Sequence, residues 1–118
     1  MRRFFKAFVY AWNGIVHGVK AERNMKMHVL AAIAVVVAGV LTKLSPVEWF
    51  IVMILISGMF ALELMNAAIE RVVDLVTSKR HPLAQQAKDL AAGAVLVFAI
   101  FSAIIGLLLF VPKWLNFM

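Results

Sequence analysis

The chain contains no cysteine, so neither a disulfide framework nor a thiolate zinc site is available to it. Charge is also scarce: 15% of the 118 residues are Asp, Glu, Lys or Arg, against 64% hydrophobic residues. That balance is too apolar for an ordinary soluble domain, and the length leaves room for one domain. The signatures of soluble nucleotide enzymes are missing as well. There is no GxxxxGK(S/T) loop, no glycine-rich kinase loop, and no HRD or DFG triplet. The N-terminus does not read as a secretory signal. Arg2 and Arg3 are followed by apolar and polar residues in helical alternation, without a central apolar block or a cleavage site.

What the chain does have is long apolar runs. Residues 2 to 21 come first and predict an amphipathic helix, with a surface segment assigned to 1–24. On a helical projection Phe4, Phe5, Phe8, Val9, Trp12, Ile15, Val16 and Val19 fall within about 140°. Arg2, Arg3, Lys6, Asn13, His17 and Lys20 occupy the sector from about 160° to 260°, and Ala7, Ala11, Gly14, Gly18 and Ala21 form a seam of small residues. A basic face, an aromatic face and a small-residue seam suit a helix lying on an anionic membrane surface. Glu22 to His28 reads as a polar hinge. Three membrane helices follow, over 27–42, 47–75 and 87–112. The first is short and spans if flanking side chains snorkel or the bilayer thins. Ser45 and Pro46 suit an N-cap and first helical residue. The second helix must run past Glu63, because no breaker appears before Ser78, and Pro112 is expected to stop the third.

Basic residues orient these spans. Six lie before the first (Arg2, Arg3, Lys6, Lys20, Arg23, Lys26) and four between the second and third (Arg71, Lys79, Arg80, Lys88). Only Lys43 and Lys113 lie on the opposite side. The asymmetry places the N-terminus in the cytoplasm and the C-terminus outside. The net charge of +6 could suggest nucleic acid, but in a membrane protein the distribution of positive charge is the more informative datum, and no nucleic-acid partner is expected.

The stretch from Ala61 to Asp89 organises the rest. Glu63, Asn66, Glu70 and Asp74 fall within an arc of about 80° on one helix. An acid at the end of an apolar span is costly and functional by default. Glu63 is therefore a candidate general base, against the plainer possibility of a structural carboxyl hydrogen-bonded between helices. Asn66 is placed to orient Glu63 or a phosphate. Glu70 and Asp74 are hard oxygen donors that suit Mg²⁺ together with phosphates, or else form a solvated acidic face. Lys88 offers a compact cation for phosphate oxygens, or an interfacial anchor, and Asp89 could accept a hydrogen bond or fix the lysine. His81 has the place of a turn residue, and Glu22 that of a helix-end charge. On these grounds alone the chain is a membrane enzyme or an ion-coupled carrier with a cytoplasmic acidic site. A purely structural adaptor would not need so many converging polar groups.

The same stretch resembles the signature of the small bacterial membrane lipid kinases, the diacylglycerol kinase/undecaprenol kinase family. The pattern E-x-x-N-x-A-x-E-x-x-x-D, followed by a His and then A-K-D, is matched at Glu63, Asn66, Ala68, Glu70, Asp74, His81 and Ala87-Lys88-Asp89. Weaker similarity lies in Tyr10-Ala11-Trp12-Asn13-Gly14 and in Glu22. The resemblance implies an all-α fold of a surface helix plus three membrane helices, assembled as a homotrimer in the bacterial plasma membrane. It implies ATP as phosphoryl donor, Mg²⁺ as cofactor and a membrane lipid alcohol as acceptor. Carried over by motif, Glu63 matches the general base, and Glu22 and Glu70 match the metal-binding glutamates. Asn66, Asp74, Lys88, Asp89 and Tyr10 match residues around the nucleotide. Lys79, Arg80 and His81 match a connecting segment that touches ATP, though both residues before His81 being basic departs from the diacylglycerol-specific branch. Arg3 and Trp12 match positions near the lipid. The segment HPLAQQAKDLAAGAVL is more similar to the undecaprenol kinase branch than to the diacylglycerol branch.

Overall fold

The computed structural model describes residues 1–117, all of them in four helices and their short connections. Helix α1 runs Arg2–Ala21, α2 Arg23–Thr42, α3 Pro46–Val76 and α4 Pro82–Phe117. The last three are long and apolar enough to cross a membrane. Their outward faces carry Leu30, Phe50, Leu96, Phe101 and Leu108, all exposed. A protein in water rarely leaves such surface uncovered, whereas lipid covers it without cost. The buried core is correspondingly thin, with Leu44, Val52 and Phe110 at its centre and Val35, Ala38 and Trp49 packed around them.

Each helix boundary has a local cause. Ser45 and Glu48 close a reciprocal capping box at the start of α3: Glu48 N–H donates to Ser45 Oγ at 3.3 Å, and Ser45 N–H donates to Glu48 Oε1 at 2.9 Å. Pro46 occupies the first turn, where its missing N–H removes no bond. Before it, α2 ends on Lys43 in the left-handed conformation (φ 60°, ψ 58°). No breaker interrupts α3 for 31 residues.

Three boundaries differ from the sequence expectation. The polar hinge expected over Glu22 to His28 shrinks to Glu22 alone, in extended conformation (φ −96°, ψ 121°), and α2 begins at Arg23. Met25, 1% exposed, explains this by filling the corner where α1 and α2 meet. Helix α4 begins at Pro82 rather than 87, again with proline at a helix start. It also passes through Pro112 to Phe117 instead of stopping there. The turn beyond the proline is held from outside the helix. Lys113 Nζ pairs with Glu48 at 3.0 Å, and Trp114 Nε1 donates to Thr42 Oγ1 at 2.9 Å. Partners on neighbouring helices are what let apolar helices tolerate an internal proline.

Helices α3 and α4 form the most extensive pairing. Helix α1 meets α3 at Gly18, where a Cβ would come within 2.7 Å of Leu64 Cδ2. That close approach brings the end of α1 beside the acidic half of α3.

Candidate active site

The stripe on α3 is graded in exposure. Glu63 is 2% exposed and Asn66 7%, Glu70 is half-buried, and the side chain of Asp74 is 63% exposed. The gradient follows from one helix leaving the cover of its neighbours: α2, α4 and the end of α1 cover its middle, and at Asp74 Lys88 of α4 still lies beside it.

Three other elements bring polar partners to the stripe. From α2, His28 Nε2 lies 3.4 Å from Glu63 Oε2. From α4, Lys88 Nζ pairs with Asp74 Oδ1 at 2.7 Å. From the α1–α2 corner, Glu22 Oε1 meets Arg71 Nη1 at 2.7 Å, and the same guanidinium donates to Ala67 O at 3.1 Å and reaches His17 Nε2 at 3.5 Å. Within α3, Asn66 Nδ2 donates to Glu70 Oε1 at a long 3.5 Å. The amide oxygen of Asn66 is buried without a hydrogen-bond partner. Buried acceptors in that condition are uncommon and call for an explanation such as a bound ion or water.

Other sequence candidates are placed differently. Of the two roles open to Asp89 the structure shows the first: it accepts from Gln85 Nε2 at 2.8 Å on the same helix, while Lys88 pairs with Asp74. His81 caps α4, its Nδ1 accepting from Leu83 N–H at 3.1 Å. Lys79 and Arg80 are exposed in the α3–α4 turn. Arg3, Tyr10 and Trp12 are exposed along α1, and among the described residues no hydrogen bond or ion pair joins them to the stripe. Sequence reasoning left His28 in a hinge, His17 on a polar face and Arg71 among orienting charges. The signal available for His28 was its distance from Ser45, roughly equal to that of Glu63 on the other side of the turn. In an antiparallel hairpin such residues lie at one depth.

Among the described residues no three acidic or histidine side chains converge on a metal-sized space. Glu22 and Glu70 nevertheless offer the hard oxygens that Mg²⁺ prefers, and an ion carried in with phosphates and waters needs only one or two protein carboxylates. The unpartnered Asn66 oxygen lies on the same stripe. The donor set fits the ion.

These features define a class: an integral membrane protein with its buried acid, amide and basic partners gathered at one end of three spans. Within that class the chain belongs to the prokaryotic diacylglycerol kinase family, whose model matches residues 9–110. It is 58% identical over 113 residues to the undecaprenol kinase of Bacillus subtilis, covering 96% of this chain and 92% of that protein. Identity to a Synechocystis diacylglycerol kinase is 38%, covering 95% of this chain and 65% of the relative. The Escherichia coli diacylglycerol kinase is 28% identical over 102 residues, covering 86% of this chain and 84% of that enzyme. Membership in a family of lipid kinases displaces the ion-coupled carrier and the structural adaptor.

Proposed function

We propose that this chain transfers the γ-phosphoryl group of ATP to the hydroxyl of undecaprenol, a long single-chain isoprenoid alcohol. The 58% identity to the Bacillus undecaprenol kinase, against 38% to the Synechocystis diacylglycerol kinase, carries the choice of acceptor. Diacylglycerol is the second acceptor, favoured by the family's description.

Glu63 takes the proton of the lipid hydroxyl, at a depth where an alcohol anchored in the bilayer can present it. Phosphoryl transfer asks chiefly for charge neutralisation and in-line positioning. Lys88 supplies a cation by exchanging Asp74 for phosphate oxygens. Asn66, Asp74, Asp89 and Tyr10 lie around the nucleotide, with Lys79, Arg80 and His81 beside it, and Arg3 and Trp12 near the lipid. Glu22 and Glu70 would hold Mg²⁺, with Glu22 exchanging Arg71 for the ion. The ion would supply neutralisation of the phosphate charge.

In this reading α1 lies on the membrane surface of a bacterial cell, with Phe4, Phe8 and Trp12 toward the lipid. The N-terminus and the acidic stripe are cytoplasmic and the C-terminus is outside. Arg3, Tyr10 and Trp12 do not reach the stripe of their own chain, which supports sites completed between subunits; the homotrimer itself is carried over from the family resemblance. Cysteines introduced at Lys79 and Asn116 should label from opposite sides of sealed cells; labelling from one side would sink the three-span topology.

The direct test assays purified protein against both lipids in matched detergent with Mg²⁺ and ATP. Undecaprenol should be the better acceptor. Markedly faster phosphorylation of diacylglycerol would overturn that choice.

A further inference from the structure

The most deeply buried carboxylate of the stripe has a partner that the mechanism above does not use. His28 Nε2 stands 3.4 Å from Glu63 Oε2. Among the described residues His28 is the basic side chain that faces Glu63, while Arg71, Lys88 and Lys113 serve other acids. The side chain of Glu63 is 3% exposed and that of His28 24%, so the imidazole leads from the buried acid to the surface of the bundle, two residues from Lys26. The ring also lines one end of an apolar cavity of about 510 Å³ between α2, α3 and α4, together with Met59 and Phe60; Phe110 and Trp114 lie toward the other end. His28 therefore stands between the acid, the apolar interior of the bundle and the bundle surface at its polar end.

A buried base that accepts a proton from an alcohol must release it before the next turnover. With 2% of its surface exposed, Glu63 has little direct contact with water through which to do so. Imidazole is suited to the task, because one ring nitrogen can accept a proton while the other gives one up.

We propose that His28 is the proton relay of Glu63. In each turnover the lipid oxygen bonds to the γ-phosphorus as the bond to the bridging oxygen breaks and ADP leaves. The hydroxyl proton passes to Glu63, then to His28 Nε2, and the imidazolium releases its Nδ1 proton to water; proton exchange with water then returns the ring from the Nε2–H to the Nδ1–H tautomer before the next transfer. Between turnovers the ring holds the carboxylate in place. The proposal rests on Glu63 as the base and holds for either lipid acceptor.

The test compares full-length His28→Gln, His28→Ala and Glu63→Gln with wild type in detergent, with folding checked by circular dichroism and oligomer size. His28→Gln keeps a polar side chain of similar reach but cannot relay a proton. It should lower kcat about 10- to 100-fold, less than removal of the base itself, while the lipid KM stays within about twofold. Added imidazole should restore part of the turnover of His28→Ala and leave wild type and Glu63→Gln unchanged. A purely structural role would shift KM or folding and would not respond to imidazole. Wild-type kcat in either folded His28 variant, or failure of imidazole to rescue folded His28→Ala, would overturn the relay. Should Glu63→Gln be inactive while His28→Gln turns over normally, only the relay falls. Should Glu63→Gln retain turnover, the assignment of the base falls and the relay with it.

Discussion

At the Lys43 end of the bundle, Lys113 meets Glu48 at 3.0 Å, Trp114 donates to Thr42 at 2.9 Å, and Ser45 and Glu48 satisfy each other's backbone N–H groups. At the Glu63 end, His28 approaches Glu63 only to 3.4 Å, the Asn66–Glu70 bond stretches to 3.5 Å, and the Asn66 oxygen has no partner. The short bonds there, Lys88–Asp74 and Arg71–Glu22, tie charges at the rim. One end is a clasp whose polar groups are fully used by the chain itself. The other keeps acceptors and carboxylates in hand for something that arrives. On the proposed reading, stability and chemistry fall at opposite ends of the same three helices.

The strongest way to break that contrast is Glu63→Gln, which preserves shape. Turnover should fall by roughly 10²- to 10⁴-fold, with helix content and oligomer size intact. Turnover near that of wild type would make Glu63 another structural group. Next come Glu70→Gln and Glu22→Gln. Each should raise the Mg²⁺ concentration for half-maximal rate by at least about tenfold, a loss that even groups one step removed from a metal can produce. Excess Mg²⁺ should partly restore the rate, and an unchanged requirement in both would remove them from the ion's site. At the clasp, Trp114→Phe keeps an aromatic ring beside Phe110 and deletes the N–H to Thr42. It should cost about 0.5–1.5 kcal/mol in thermal unfolding with kcat unchanged; lost turnover at full stability would show the ends to be coupled. The smallest effect is expected of Lys43→Gly. It relieves a left-handed non-glycine residue against added unfolded-chain freedom, for a net gain of about 0.5 kcal/mol in the same measurement.

The start of α3 and the α3 stripe were legible in the sequence, because both are written locally. Ser45, Pro46 and Glu48 are near neighbours, and helical periodicity alone aligns Glu63, Asn66, Glu70 and Asp74. What escaped depends on partners distant in the chain. Met25 turns a polar-looking segment into helix by filling a corner, and Pro112 is carried by contacts with Glu48 and Thr42 on other helices. Arg71 looked like an orienting charge until α1 brought Glu22 and His17 to it. Asp89 is the converse case: its neighbour Lys88 pairs across the turn with Asp74, and Asp89 turns back to Gln85.

Helix α3 has 31 residues, about 46 Å at 1.5 Å per residue, against a hydrocarbon layer of about 30 Å. The excess makes it a depth gauge. Glu63 and Asp74 are fixed about 16 Å apart along one rigid rod, so on the proposed reading a greasy alcohol and a water-borne nucleotide would each be met at their own level without a moving arm. The membrane then becomes part of the active site's ruler. A bilayer a few ångströms thicker would draw Glu70 toward the hydrocarbon, and a thinner one would bring Glu63 up into the headgroups, so the host membrane's thickness helps set how well the two substrates are aligned.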